Sequence, residues 1–316
     1  MIYLDMLRQL ENDGFAWIDV STPTRDDMRE LGRLFPFHEL NLADCVSKIQ
    51  IPKIDRYKSH VFVILHFPTA TQERVPKPSQ LAAFLGPGYL VTVHQQDLKT
   101  VADTFDACES SEDVRKELMG RSAGYLYHSL VDALVDELLN NVRKIMGNME
   151  DIEDAVFDER VAVAREISYL RREVTSLRRI AIPMRRTLAE LVAKDVQRFS
   201  EEDLAPYFDD VQDHIDKVIE TLDESKDTIE IFKDTDFVHS TERSNKILAV
   251  LTIIFTLSMP ASILGSFYGM NVQLPGGIGS GSWTFLGPYT VFALVVLASS
   301  ASAAAMIVYF RRLGWI

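Results

Sequence analysis

The residues of this chain best suited to chemistry are ligands for cations. Asn271, in the tetrapeptide Tyr268-Gly269-Met270-Asn271, offers an amide oxygen where an apolar segment meets an uncharged loop. Such an oxygen can hydrogen-bond to a hydrated magnesium ion without stripping its waters, which that ion gives up reluctantly. Upstream, Asn245, Leu248, Thr252, Phe255, Met259, Ser262 and Ser266 follow at three- and four-residue steps, so a helix would carry all seven on one face. Taken alone, Leu248, Phe255 and Met259 on such a face read as ordinary helix packing. Further upstream, Asp209, Asp213, Asp216, Glu220, Asp223, Asp227, Glu230 and Asp234 keep the same rhythm and put eight carboxylates along one helical face. Hard oxygen ligands of this type suit magnesium.

These groups need particular elements to position them. Residues 247–310 contain no Asp, Glu, Lys, Arg or His, and a Gly- and Pro-rich stretch divides them into two apolar pieces, 247–267 and 288–310. Each reaches the roughly 20 residues that cross a bilayer, so two transmembrane helices are expected. Pro206 offers a helix start, and neither Gly nor Pro follows before Pro260. One continuous helix of some 60 residues, roughly 90 Å at 1.5 Å per residue, would therefore enter the membrane from a soluble stalk. Like charges one turn apart are mildly destabilising, so eight in register are either tolerated on a solvated face or put to use. Val211, Ile215, Val218, Leu222, Ile229 and Phe232 form an adjoining apolar stripe, which wants a partner helix.

Ahead of the stalk, residues 15–20, 59–67, 80–85 and 89–94 read as strands, the last two joined through Gly86-Pro87-Gly88. From Ser111 onward strand signals vanish, and 125–145 carry apolar residues at helical spacing. Arg165, Arg171, Arg172, Arg178, Arg179, Arg185 and Arg186 form a basic band on a helical pattern. Pro183 is expected to kink or break that helix, and the band to pack against an acidic neighbour in the same oligomer. The seven histidines are scattered, with no His-x-x-x-His pair, and none is assigned to a transition-metal site. Cys45 and Cys108 are read as reduced structural thiols.

After Arg243 the only charged residues are Lys246, Arg311 and Arg312; 33 Lys and Arg less these three leave 30 against 46 Asp and Glu, a net charge of −16 before the spans. Such a surface repels nucleic acid and attracts cations. Basic residues flank both spans and the loop between them has none, which predicts both termini in the cytoplasm of an inner (plasma) membrane protein. No Walker A sequence, nucleophile arrangement or transition-metal set stands out, so neither nucleotide coupling nor an enzyme is expected.

The chain resembles the CorA family of divalent-cation transporters, whose signature is Gly-Met-Asn after the first of two C-terminal membrane helices. Gly269, Met270 and Asn271 match it, Pro260 lies in the preceding helix, and the resemblance extends through Asn245 to Met259. It implies an α+β membrane protein: an α/β/α cytoplasmic domain at 1–205, a stalk helix at 206–246 continuous with transmembrane helix 247–267, motif and external loop at 268–287, a second span at 288–310 and a tail at 311–316. It implies a homopentamer in the lipid bilayer, a selectivity filter at Gly269, Met270 and Asn271, and pore-lining roles for Asn245, Leu248, Met259, Ser262 and Ser266. It also implies a regulatory metal ligand at Asp210, between subunits; Asp209, Asp213 and Asp234 are further candidates. Mg2+ would be both transported and regulatory, with Co2+ and Ni2+ as secondary ions. The loop from Val272 to Trp283 has no acidic residue and lacks the Met-Pro-Glu-Leu segment common in the family. That departure keeps open a zinc (Zn2+) transporter of the ZntB branch, with proton coupling. A third alternative is a membrane-anchored ion sensor or scaffold that conducts nothing.

Overall fold

The computed structural model describes residues 7–47, 50–69, 75–158, 161–200, 202–270 and 289–315. They fall into two units, one ending at Asp236 and one beginning at Phe237.

The first unit opens with a hairpin, β1 (Leu7–Asn12) and β2 (Phe15–Ser21), turned at Asp13 and Gly14, both with positive φ. That is the two-residue turn whose twist suits paired strands. Two helices follow, α1 (Arg25–Leu34) and α2 (Glu39–Val46), then β3 (Lys53–Arg56), β4 (Val61–Thr69), β5 (Lys77–Gly86) and β6 (Tyr89–His94). The sheet order is β1-β2-β6-β5-β4-β3, antiparallel except for the parallel β2·β6 pair. Both faces are covered. Ile18, Val20, Phe62, Ile64, Phe84 and Val91 pack on Met28, Leu31 and Leu42 of α1 and α2. Trp17, Val63, Leu65, Leu81 and Leu90 face the larger core on the other side. A sheet buried on both faces needs unbroken apolar strands, and every residue of β4 is buried.

The remainder is helical: α3 (Lys99–Ser110), α4 (Glu112–Met119), α5 (Ala123–Val156), α6 (Ala164–Lys194) and α7 (Ala205–Tyr268). The expected α/β layer followed by long helices is present, with the stalk and first apolar segment in one helix, α7. Strands β1 and β3 escaped the sequence reading because they are short, charged edge strands, a composition that keeps sheet edges from pairing with other chains. Pro183 does not break α6, which runs through it.

The arginine band meets α7 of its own chain. Arg171, Arg178 and Arg185 lie 3.8, 2.5 and 3.3 Å from Glu230, Asp223 and Asp216. Each step of seven residues up α6 is a step of seven down α7, so the helices run antiparallel with a shared register. The apolar stripe Val211, Ile215, Val218, Leu222, Ile229 and Phe232 is buried in the same core as Leu170, Val174, Leu177 and Met184 of α6. For these three arginines the acidic neighbour is intramolecular, which corrects the expectation of another subunit.

A polar chain crosses the buried sheet. Trp17 Nε1 donates to Thr92 Oγ1 at 3.0 Å, and Thr92 Oγ1 donates to Asp19 Oδ1 at 2.6 Å. The same Asp19 oxygen lies 3.2 Å from His94 Nε2, both side chains being buried. Burial works against the imidazolium, but the Asp19 carboxylate outweighs it and holds the His94 pKa above its ordinary value. This pair therefore stabilises the fold fully below about pH 6.5, and the contribution is lost as pH rises through the raised value.

The second unit comprises the C-terminal part of α7 and α8 (Thr290–Arg312), both long and apolar enough to cross a membrane. Ile247, Leu251, Ile254, Phe267, Phe292 and Leu297 are exposed, as lipid-facing residues would be. The membrane reading rests on this exposure together with the charge-free sequence.

Removing one partner of a buried ion pair costs about 3 kcal/mol. Asp19→Asn should destabilise the protein by that order at pH 6. The penalty should shrink as pH rises toward 8, as read from denaturation followed by Trp17 near-UV circular dichroism. A penalty that does not change with pH would mean that His94 is not charged in the fold.

Candidate functional site

The signature lies at the end of α7. Tyr268 is its last residue, and the amide of Gly269 bonds back to the carbonyls of Gly265 (3.0 Å) and Ser266 (3.2 Å). Met270 N donates to Phe267 O at 3.2 Å. Gly269 does not have a positive φ. A Cβ there would lie 3.3 Å from the Gly265 carbonyl oxygen, a tight contact that a shift of a few tenths of an ångström would relieve. Asn271 and the loop to residue 288 lie outside the described residues.

Asn245, Leu248, Thr252, Phe255, Met259, Ser262 and Ser266 all lie on α7 and all are exposed. Their spacing puts them on one helical face, which no side chain covers among the described residues. The Thr252 hydroxyl donates to Leu248 O at 2.7 Å and that of Ser262 to Ser258 O at 3.1 Å. Their donors are therefore satisfied within the helix while oxygen lone pairs stay outward, and such groups can accept hydrogen bonds from a cation's water shell. Pro260 sits inside α7 and leaves the Thr256 carbonyl without its helical donor.

In the first unit, Asp210 stands with Asp132 of α5 and His214 of α7, their ligand atoms all within 4.8 Å of one another. Asp210 and His214 are one turn apart on the same face of α7. Asp132 lies one turn beyond His128 on α5. The two helices are held together here by rings: Tyr125 against Tyr207 at 5.8 Å, and His128 against Phe208 at 5.2 Å. His128 Nε2 lies 3.0 Å from Tyr207 O; a ring N–H donating there leaves Nδ1 as the acceptor, and Nδ1 is buried without a partner. Burial lowers the pKa of His128 from its usual value, against the pull of Asp132. Asp132 is raised, first by burial and further by Asp136 and Asp210, while His128 and His214 oppose the rise. A divalent cation would relieve this crowding of partly desolvated anionic oxygens. Two carboxylates and one imidazole nitrogen would hold magnesium and, through the nitrogen, favour later first-row metals more than an all-oxygen set does.

Among the sequence candidates, only Asp210 is gathered into this cluster. Asp209, Asp213 and Asp234 are exposed on α7 and join no group of three ligands among the described residues. Asp132 and His214 are not among the sequence candidates, and with Asp210 they form a group that could hold a metal ion. The signals were there as i,i+4 pairs, His128/Asp132 and Asp210/His214, but what joins the pairs is the packing of α5 on α7.

A mixed-sheet α/β unit rich in carboxylates, followed by two membrane-length helices and an amide-bearing motif, defines a membrane protein built to handle cations. The chain belongs to the CorA-like Mg2+ transporter protein family, whose model matches residues 12–312. This is a family of divalent-cation transporters, not of enzymes. The chain is 27% identical over 303 residues to the cobalt/magnesium transport protein CorA of Thermotoga maritima, covering 95% of this chain and 83% of that one. Its fold matches the complete CorA magnesium transporter of Methanocaldococcus jannaschii with a TM-score of 0.78 at 18% identity, over 97% and 93% of the two chains. It also matches the ZntB cytoplasmic domain of Vibrio parahaemolyticus with a TM-score of 0.60 at 12% identity, over 72% and 88%.

Magnesium or cobalt at millimolar concentration should raise the thermal midpoint of the purified protein. Asp132→Asn with Asp210→Asn should cut that rise by more than half. It should also raise the metal-free midpoint slightly, because two crowded anions are gone. An undiminished cation effect in the double variant would remove this cluster as the binding site.

Proposed function

We propose that this chain is one subunit of a homopentameric divalent-cation channel that takes up magnesium across the plasma membrane. The observation that carries the reading is the uncovered face of α7, where Asn245, Thr252, Ser262 and Ser266 alternate with Leu248, Phe255 and Met259 and the helix ends at the signature. A single chain cannot encircle an ion with that face, so copies must supply the remaining walls. Asn271, with Gly269 and Met270 supporting it, contributes one amide per copy to a ring that hydrogen-bonds to hydrated magnesium. Leu248, Phe255 and Met259 form the apolar constriction that closes the path.

Uptake runs down the membrane potential. Each charge gains about 2.3 kcal/mol per 100 mV and a divalent ion about twice that, so no nucleotide hydrolysis is needed. Both termini face the cytoplasm, in keeping with Arg243 and Lys246 before the first span and Arg311 and Arg312 after the second. Cytoplasmic divalent ions bound at Asp210, with Asp132 and His214, favour the closed state, and their loss at low magnesium opens it.

Zinc transport is the second reading. It is favoured by the imidazole in the cluster and by a signature loop free of acidic residues.

The test is ion flux into liposomes at an imposed inside-negative potential, with and without a pH gradient. Magnesium uptake driven by potential alone is expected, with at least a tenfold loss in Asn271→Ala at unchanged assembly. Asp210→Asn should weaken inhibition by magnesium on the cytoplasmic side. Zinc uptake that requires the proton gradient would move the chain to the second reading, and no flux of either ion would make it a sensor or scaffold.

A further inference from the structure

The charges of α6 and α7 are arranged in more files than one chain uses. On α6, Arg171, Arg178 and Arg185 recur every seven residues and are engaged by α7 of the same chain. Arg165, Arg172, Arg179 and Arg186 form a second file with the same repeat, mostly one residue further on and so about 100° around the helix. All four are exposed. Arg165 bonds to the hydroxyl of Tyr169 at 3.3 Å, while Arg172, Arg179 and Arg186 pair with no carboxylate among the described residues. Four unneutralised arginines on one exposed face are unexpected in a chain of net charge −13.

Helix α7 carries the complementary surplus. Asp213, Glu220, Asp227 and Asp234 also recur every seven residues and are exposed. Three of them are held only by lysines of their own helix: Glu220 by Lys217 at 3.2 Å, Asp227 by Lys226 at 3.5 Å and Asp234 by Lys233 at 3.7 Å. Asp213, Glu220 and Asp227 border a groove of about 690 Å³ that has Ile219 among its lining residues.

We propose that these two files are the two sides of a contact between copies of this chain. Arg165, Arg172, Arg179 and Arg186 of one copy dock on Asp234, Asp227, Glu220 and Asp213 of the next. The register is the one α6 and α7 already adopt within a chain: each seven-residue step up one helix meets a seven-residue step down the other. Copies related by a rotation axis running along these helices preserve that antiparallel sense. The two surfaces differ, so the contact is heterologous, and heterologous contacts that close make rings. Copies this acidic repel one another at a distance, and a basic file opposite an acidic one supplies the local attraction that assembly needs. Single exposed ion pairs are weak, which is why four in register matter more than any one. This inference rests on the oligomeric reading above and names the surface that builds it.

The experiment uses the full-length protein in detergent with Arg179→Cys and Glu220→Cys in one chain; the native Cys45 and Cys108 are buried and free. Mild oxidation should give a ladder of disulfide-linked copies on a non-reducing denaturing gel, collapsed by reductant. The out-of-register pair Arg165→Cys with Asp213→Cys should give none. Independently, Arg172→Glu with Arg179→Glu should raise the concentration at which the oligomer dissociates at least tenfold, and adding Glu220→Lys with Asp227→Lys should restore it. An assembled oligomer by light scattering that yields no in-register ladder, or whose assembly ignores the charge reversals, overturns this contact and leaves the channel reading standing. Loss of bound anionic lipid from the arginine variants with assembly unchanged overturns it too, in favour of a lipid surface. A monomeric wild-type protein overturns both proposals.

Discussion

The structure depends on how α7 manages its charge. Eight carboxylates along one face would resist any dense packing of that helix, yet its apolar stripe must be buried for the first unit to hold together. The arginines of α6 resolve the conflict. Three of them neutralise Asp216, Asp223 and Glu230 at the edge of the interface, and Val211, Ile215, Val218 and Leu222 are buried beside them. None of these surface pairs is worth much alone. Their effect is on register: a slip of one residue would part all three pairs and turn the apolar stripe out of the core.

That register has consequences for chemistry. With α7 seated, Phe208 and Tyr207 meet the rings of His128 and Tyr125 on α5, and one turn further along each helix Asp132, Asp210 and His214 converge. The cluster is thus a product of aromatic packing. Its crowding is held by the rest of the fold and not by the charges themselves, which repel. Burial is the first cause that raises the pKa of Asp132, with Asp136 and Asp210 adding to it.

Much of this was legible in the sequence, and the reasons are specific. Short apolar, β-branched or aromatic segments, two of them flanking Gly86-Pro87-Gly88, located β2, β4, β5 and β6, and apolar spacing of three to four residues located the long helices. Gly88, with positive φ, marked the β5–β6 turn. The Asp13-Gly14 turn was equally plain in the sequence but was passed over, and β1 went with it, since a charged edge strand lacks an apolar rhythm. The spacing of Arg171, Arg178 and Arg185 was visible too. The expectation of a partner in another subunit failed for these three because two heptad files can pair within a chain or between copies with equal local energy. The packing of α6 on α7 settles it for these three. His214 was lost for a related reason: a metal set divided between two helices has no spacing in sequence.

The division of ligand types along α7 follows from solvent. Residues 247–310 contain no ionisable side chain, as a bilayer requires, since a charge at membrane depth is costly unless it lines water or finds a partner. Any cation ligand there must be neutral, which leaves hydroxyls, carbonyls and amides such as those of Ser262, Ser266 and Asn271. Neutral oxygens bind hydrated magnesium loosely, and loose binding is what allows an ion to leave again. The regulatory site proposed above has the opposite need: it would hold its ion long enough to bias a conformation, which suits carboxylates such as Asp132 and Asp210. Carboxylates are affordable only in the water-exposed unit. In the channel proposed above, α7 carries neutral oxygens along its apolar part and Asp210 and His214 along its charged part, with Asp132 of α5 completing the second set.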